Sequence, residues 1–156
     1  MFYSISSIGP ICSELHSLGK KIVLATGFFD LLHSEHINFL RKAKSVGDIL
    51  IVAVESDVRA RAIKGEGRPI EDQAVRCQKV SQCADYVIAL PDDFNNPAAF
   101  ESLISAVSPN FLAISSHTAH QDKKQALVEK YGGMLAVVHD WNPSISTTQI
   151  INKSKV

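Results

Sequence analysis

Cysteine is scarce in this chain of 156 residues, which has only Cys12, Cys77 and Cys83. Their odd number argues against a disulfide framework, and no two of them have the C-x-x-C spacing of a zinc site. We therefore expect reduced thiols, which are typical of a cytoplasmic protein, and no metal-ligand cluster.

Excess charge of either sign is also absent, because 16 Lys and Arg residues balance 16 Asp and Glu residues. A neutral chain has no long-range field that favours nucleic acid or an anionic membrane, so we expect neither partner. The N-terminus has no cationic stretch before an apolar one, and no apolar run is long enough to cross a bilayer. The sequence thus predicts a protein that is neither exported nor inserted in a membrane.

Linkers, repeats and low-complexity stretches are missing as well, and a chain of this length is typical of one domain. Short apolar runs alternate along it with amphipathic stretches. They predict strands at 22–26, 49–54, 86–90, 111–114 and 134–138, and helices at 10–18, 36–46, 58–63, 72–83, 97–107 and 121–131. This alternation predicts an α/β fold: a single Rossmann-like, doubly wound, parallel five-stranded sheet with helices on both faces. We expect one domain over 1–156, with a helical extension at 1–20 and the core at 21–153.

A short motif, GFFDLLHSEH over residues 27–36, follows the first predicted strand. Its glycine permits a sharp turn, and its two histidines, three residues apart, can face one point where a helix begins. Backbone N–H groups and the positive end of the helix dipole meet there, which suits a phosphate better than a metal. Such a pair alone is usually filler, but open α/β sheets bind ligands at the carboxyl ends of strands. No G-x-G-x-x-G follows the strand, which disfavours a dehydrogenase.

Three sequence blocks together resemble one family. The motif is similar to the G-x-F-D-x-x-H-x-G-H signature of nucleotidylyltransferases. GDILIVAVESD at 47–57 with KGEGRPI at 64–70 extends the likeness, and ISTTQII at 145–151 is similar to the I-S-T-T-x-I-I element. The chain therefore resembles the cytidylyltransferase-like family: the branch of glycerol-3-phosphate cytidylyltransferase and, more closely, the branch that adenylylates heptose 1-phosphate.

This resemblance implies an enzyme that transfers a nucleoside monophosphate from a nucleoside triphosphate to a phosphorylated small molecule, such as a sugar or polyol phosphate. Pyrophosphate would be released, and Mg²⁺ would accompany the triphosphate. ATP is favoured over CTP, because the block at 64–70 is closer to the heptose type and the R-T-E-G arginine of the cytidylyltransferase branch is missing before Ile145. A homodimer is expected by the same analogy.

The resemblance also implies roles for individual residues. His33, His36 and Lys44 would be catalytic, the histidines by hydrogen-bonding phosphoryl oxygens in the transition state. The triphosphate would be bound by Gly27, Phe28, Phe29, Asp30, Ser146, Thr147 and Thr148, and the acceptor by Lys64, Arg68, Ser115, Ser116 and His117. Simpler interpretations stay open: a turn or cap residue for Asp30, helix caps for 146–148, and plain surface loops for 64–68 and 115–117. Arg76 is the nearest candidate for an arginine that the family places on the following helix.

Glu35 is a clear departure from the family, since it stands where the signature has its second glycine. Its carboxylate adds bulk and negative charge beside an expected triphosphate, so an active site requires Glu35 to turn towards solvent or to pair with a cation. Two hypotheses follow: a working nucleotidylyltransferase, or a catalytically degenerate nucleotide-binding module that Glu35 blocks. Retention of both histidines, Lys44 and the Ser-Thr-Thr element favours the enzyme.

Overall fold

Parallel strands form the centre of the structure, a computed structural model that describes residues 2–140 and 150–151. The strands are β1 (Ile22–Gly27), β2 (Ile49–Val54), β3 (Tyr86–Ala89), β4 (Phe111–Ser115) and β5 (Met134–His139). They form one sheet in the order β3-β2-β1-β4-β5, and every neighbouring pair is parallel. The helices are α1 (Ile5–Ser17), α2 (Ser34–Ser45), α3 (Asp57–Lys64), α4 (Gln73–Val80), α5 (Pro97–Val107) and α6 (Gln121–Lys130). The predicted fold class is confirmed.

Helices cover both faces of the sheet, and each face has its own apolar core. Alternate side chains of β1 point to opposite faces, so Ile22 and Leu24 pack with α1, α5 and α6, whereas Val23 and Ala25 pack with α2 and α4. All four side chains are fully buried. Burial on both faces explains why the central strands read as continuous apolar runs rather than as alternating ones.

The first helix begins at Ile5, five residues before the predicted start at Pro10. Ser4 caps it, because its hydroxyl accepts from the Ser7 N–H at 3.1 Å while the Ser7 hydroxyl accepts from the Ser4 N–H at 2.8 Å. Pro10 therefore lies inside the helix and removes one of its hydrogen bonds. Burial of Ile8 and of the following turn offsets that loss, since α1 packs directly against α5.

The chain reverses its direction across the sheet between β3 and β4, so that β1 has β2 on one side and β4 on the other. Helices that follow β1 and β4 leave towards opposite faces, and a crevice opens between the carboxyl ends of these two strands. No helix in the described part of the chain combines the length and the apolar character needed to cross a membrane.

Candidate active site

A cavity of about 210 Å³ lies at this crevice, between the carboxyl ends of β1 and β4. It brings together five residues that the sequence predicts for the site, Gly27, Phe28, Phe29, His36 and Ser115. The remainder of its wall comes from Thr26, Phe39, Phe100, Leu112, Ala113, Ile114, Thr118 and Lys124. The motif after β1 thus faces the place where an open parallel sheet binds its ligand.

Gly27 is needed for close packing rather than for a turn. A Cβ atom at this position would lie 2.9 Å from two ring atoms of Phe29, so any side chain would displace that ring. The sharp turn follows the end of the strand, where Phe29 and Leu31 adopt φ values of 56° and 49°. The expectation that the glycine itself makes the turn is wrong, because Gly27 ends the strand in regular pairing with Val54.

The two histidines stack on each other at the first turn of α2. Their ring centroids are 3.8 Å apart and the planes differ by 17°. The backbone N–H of His33, the residue that precedes the helix, donates to Nδ1 of His36 at 3.3 Å. Because Nδ1 of His36 is an acceptor there, the proton of the neutral ring lies on Nε2. The ring of Phe29 packs edge-on against the His36 ring, with their centroids 5.5 Å apart. Phe29 and His33 together therefore fix the orientation of His36.

Burial keeps both imidazoles neutral. It lowers the pKa of His36 to about 3, assisted by the neighbouring His33 and by Lys64, while Asp30 acts in the opposite direction. Burial also lowers the pKa of His33, against the attraction of Glu35. Near pH 7 each ring is therefore an uncharged hydrogen-bond donor, which can stabilise a developing negative charge.

Asp30 fastens the loop after α3 to the loop after β1. Its buried carboxylate accepts from the backbone N–H groups of Ile70 and Glu71 at 2.9 and 3.0 Å, and from Nε of Arg68 at 3.1 Å. These bonds join segments that are about 40 residues apart in the sequence, so they are not the local turn or cap bonds that the sequence left open. Arg68 is paired with this carboxylate, which holds its guanidinium beside the motif.

Arg76 is completely buried and ties three loops together. Its guanidinium donates to the carbonyls of Phe28 and Glu55 at 2.8 Å, to that of Glu71 at 3.0 Å, and to the carboxylate of Asp57 at 2.6 Å. These loops follow β1, β2 and α3. Arg76 therefore positions the carboxyl edge of the sheet.

Glu35 pairs with His139, the last residue of β5. The carboxylate lies 2.5 Å from Nε2 of His139, and both side chains are buried. Nζ of Lys42 lies 3.0 Å from Nδ1 of the same imidazole. An ammonium can only donate, so Nδ1 accepts from Lys42 and Nε2–H donates to Glu35. The sequence required a cation or solvent near Glu35, but it did not predict His139, which is 104 residues away.

Lys44 lies at the other end of the sheet. It ion-pairs with Asp85, which precedes β3, and donates to the carbonyl of Asp48, which precedes β2. The helix that carries it has 12 residues and so a length of about 18 Å, with the histidines at its opposite end. The structure contradicts the predicted catalytic position of Lys44, because one helix cannot bring both of its ends to the same cavity.

The remaining predicted residues are Lys64, Ser115, Ser116, His117 and the segment 146–148. Nζ of Lys64 lies 5.7 Å from the centre of the Phe28 ring, so this exposed cation stands beside the motif. The Ser115 hydroxyl contacts that of Thr118 at 3.3 Å, and Ser116 N–H donates to the carbonyl of His139. His117 is exposed and does not line the cavity. The triphosphate ligands predicted at 146–148 lie outside the described residues.

Sequence reasoning missed a second cavity, of about 550 Å³, beside the first. Lys124 and Glu55 line it. Burial lowers the pKa of Lys124 and raises the pKa of Glu55. The charge of each group partly offsets the pKa shift of the other. Lys124 follows another lysine on a polar helix, a pattern that is usually a solvated face. No local signal distinguishes it from its neighbour Lys123.

The sequence profile of the cytidylyltransferase-like family matches residues 24–153. The chain belongs to the cytidylyltransferase-like family. It is 39% identical over 153 residues to the bifunctional protein HldE of Geobacter metallireducens, a match that covers 96% of this chain and 30% of that protein. The bifunctional protein HldE of Pelobacter propionicus is 37% identical over 138 residues, which cover 86% of this chain and 27% of that protein. The chain thus spans less than a third of the length of these relatives.

Two solved structures are similar to this one. The lipopolysaccharide core biosynthesis protein of Thermoplasma volcanium has a TM-score of 0.64 and 28% identity, over 80% of this chain and 98% of that one. Pantoate-beta-alanine ligase of Francisella tularensis, solved with beta-gamma ATP and beta-alanine, has a TM-score of 0.56 and 16% identity, over 99% of this chain and 77% of that one. The second likeness concerns the fold alone.

Proposed function

We propose that this chain transfers a nucleoside monophosphate, with ATP as the favoured donor, to the phosphate of a sugar or polyol phosphate. An oxygen of the acceptor phosphate forms a bond to the α-phosphorus of the nucleotide. The bond from that phosphorus to the bridging oxygen breaks, and pyrophosphate leaves with the electron pair. No covalent bond to the protein is needed, so the protein acts by positioning and by charge stabilisation.

The observation that carries this proposal is the uncharged His36 ring, which lines the cavity at a helix N-terminus with its proton on Nε2. A donor held there by Phe29 and His33 needs no reorganisation when charge builds on the α-phosphoryl oxygens. The positive end of the dipole of α2 favours the same charge. Lys64, near Phe28, supplies a cation at the rim.

Magnesium enters this proposal as a companion of the triphosphate. Mg²⁺ is held in such sites by one or two carboxylates together with phosphate oxygens and water, and does not need an all-protein cage. Within the described residues no three His, Cys, Asp or Glu side chains form a metal-binding group, whereas Glu55 and the Thr26 hydroxyl lie close to the cavities. When bound, Mg²⁺ would neutralise charge on the phosphates.

Two lines of support concern the substrates. The block at 64–70 is closer to the heptose type than to the cytidylyltransferase branch, and the R-T-E-G arginine is missing, which favours ATP over CTP. A similar structure is described as a lipopolysaccharide core biosynthesis protein, which favours a sugar phosphate as the acceptor. The pairing of Glu35 with His139 supports the enzyme over the degenerate module, because the carboxylate has a buried partner of its own.

A screen for pyrophosphate release tests the proposal. Each of the four common nucleoside triphosphates is combined with Mg²⁺ and with heptose 1-phosphate, glucose 1-phosphate, ribose 5-phosphate or glycerol 3-phosphate. We expect acceptor-dependent release, highest with ATP and a sugar 1-phosphate, and its loss in the His36→Ala variant. Nucleotide binding without any release, together with release by Glu35→Gly, would establish the degenerate module instead.

A further inference from the structure

The two cavities described above are joined through three shared residues. Thr26, Phe100 and Lys124 line both the smaller cavity, which contains His36, and the larger one. A group bound against Lys124 is therefore accessible from both spaces. This is the arrangement that a transfer between two ligands requires, since the reacting atoms must approach to about 3–3.5 Å.

Lys124 offers a positive charge to this junction. Its side chain is half-buried, and burial lowers its pKa while Glu55 opposes the shift. The Glu55 carboxylate lies 3.6 Å from Nε of Arg59, and no residue in the described ranges forms an ion pair with Lys124. Partial burial removes water from this ammonium. An anion at the junction would offset that loss by accepting a charge-assisted hydrogen bond.

The larger cavity combines aromatic faces with a carboxylate. Phe94 and Phe100 pack there with their centroids 6.2 Å apart, and Nζ of Lys124 lies 5.8 Å from the centre of the Phe100 ring. The C–H groups of a sugar ring carry partial positive charge and pack on aromatic faces, which are negative. Glu55 and Arg59 can accept from and donate to hydroxyl groups. A purely apolar ligand would form no hydrogen bonds with Glu55 and Arg59, and a bare phosphate would not pack on the aromatic rings.

We propose that the larger cavity binds the sugar of a phosphorylated acceptor and that Lys124 holds its phosphate beside the α-phosphate of the nucleotide. This inference rests on the proposed function and adds to it the location of the acceptor and one residue that binds it. Lys124 orients the attacking oxygen, and the nucleotide phosphates are bound from the side of His36.

The test compares Lys124→Met with Lys20→Met, which removes an exposed lysine just before β1 at the opposite end of the sheet. We expect Lys124→Met to raise the KM of the sugar phosphate about 10- to 100-fold, the range for loss of one charged hydrogen bond. The KM of ATP should change less than about 2-fold, Lys124→Arg should recover most of the affinity, and Lys20→Met should match the wild type. Equal increases in both KM values, or an unchanged KM for the acceptor, would overturn the proposal.

Direct binding separates this inference from the proposed function. Titration calorimetry on the wild type and Lys124→Met uses glucose 1-phosphate, glycerol 3-phosphate, glucose and inorganic phosphate as probes. We expect glucose 1-phosphate to bind most tightly and to lose affinity in the variant. If no combination releases pyrophosphate but this pattern is found, the function fails while the acceptor site stands. If inorganic phosphate binds as tightly as glucose 1-phosphate, or the variant binds both unchanged, the acceptor site is refuted.

Discussion

At the amino end of the sheet, charged side chains are partly exposed, whereas at the carboxyl end Asp30 and Arg76 are buried and bond both to backbone groups and to oppositely charged side chains. Asp48 accepts from the Lys21 N–H and Asp85 from the Leu50 N–H, each at 2.8 Å. At the opposite end Asp30 is 2% exposed and Arg76 is fully buried.

The difference lies in what holds each charge in place. The ion pair at the amino end is partly solvated and contributes little to stability, so removal of its lysine should cost little. A buried charge at the carboxyl end requires its partners, because removing one leaves the other unsolvated and unpaired. The carboxyl end is therefore the frame of the candidate site, and we expect its charged residues to be more sensitive to substitution than the paired lysine at the amino end.

The largest effect on stability is expected for Arg76→Met. The substitution leaves the carbonyls of Phe28 and Glu55 and the carboxylate of Asp57 without their donor, and breaking a buried pair costs about 3–5 kcal/mol. Asp57 is partly exposed, which places the expected loss at the lower end of that range. Urea unfolding measures it, and a loss below about 1 kcal/mol would show that Arg76 does not hold this end together.

The next effect, on catalysis, is expected for His36→Ala. Loss of one donor to a charge that develops in the transition state lowers kcat by about 100- to 1,000-fold, with a smaller change in the KM of ATP. Thermal unfolding of the same variant serves as the control for folding. A variant that is folded and keeps the wild-type kcat would remove His36 from the chemistry.

A double-mutant cycle with Glu35→Gln and His139→Gln tests the pair that replaces the family's glycine. Both groups are buried and in contact, so we expect a coupling energy of about 1–3 kcal/mol in the free energy of unfolding. Additive effects would mean that the contact contributes nothing.

Glu35→Gly tests whether the pair of Glu35 and His139 affects activity. We expect it to leave pyrophosphate release unchanged or lower, because the wild-type carboxylate is bound to His139 rather than facing the phosphates. Higher release in Glu35→Gly than in the wild type would identify Glu35 as a block.

The pH dependence of stability should show the buried state of His36. Its pKa is about 3 in the folded chain, below the ordinary value near 6.5, so the unfolded chain binds more protons between these values. The free energy of unfolding should therefore fall as the pH decreases from about 6.5 towards 3. We expect this fall to be smaller in His36→Asn, measured by urea unfolding at several pH values. Identical slopes in both proteins would contradict burial of a neutral His36.

The smallest effect is expected at the amino end, for Lys44→Met. Its ion pair with Asp85 is partly exposed, so its loss should cost between 0 and about 1 kcal/mol and leave kcat unchanged. A decrease in kcat comparable to that of His36→Ala would restore the catalytic role that the sequence predicted for Lys44.

Regular elements could be predicted because their signals are local. The five predicted strands agree with the observed ones to within one residue at each end, and 97–107 matches α5. Two predicted helix ends were wrong: one where a proline lies inside the helix, and one where no residue in the sequence marks the end of the helix. Pro10 predicts a helix start at residue 10, whereas Ser4 caps the helix, and α4 ends at Val80 rather than at Cys83.

Of the candidate site, the sequence by itself determined the motif, its position after β1 and the family to which it belongs, because fixed residue types at fixed spacing identify a strand, a turn and a helix start. Only the tertiary structure decided the position and the partners of each ionisable side chain. The neutrality of His36, the pairing of Glu35 with His139 and the place of Lys124 between two cavities depend on burial and on contacts between distant segments. Lys44 is an example of a wrong prediction with the same cause. The sequence identifies its charge, but the direction and length of α2 place it far from the site.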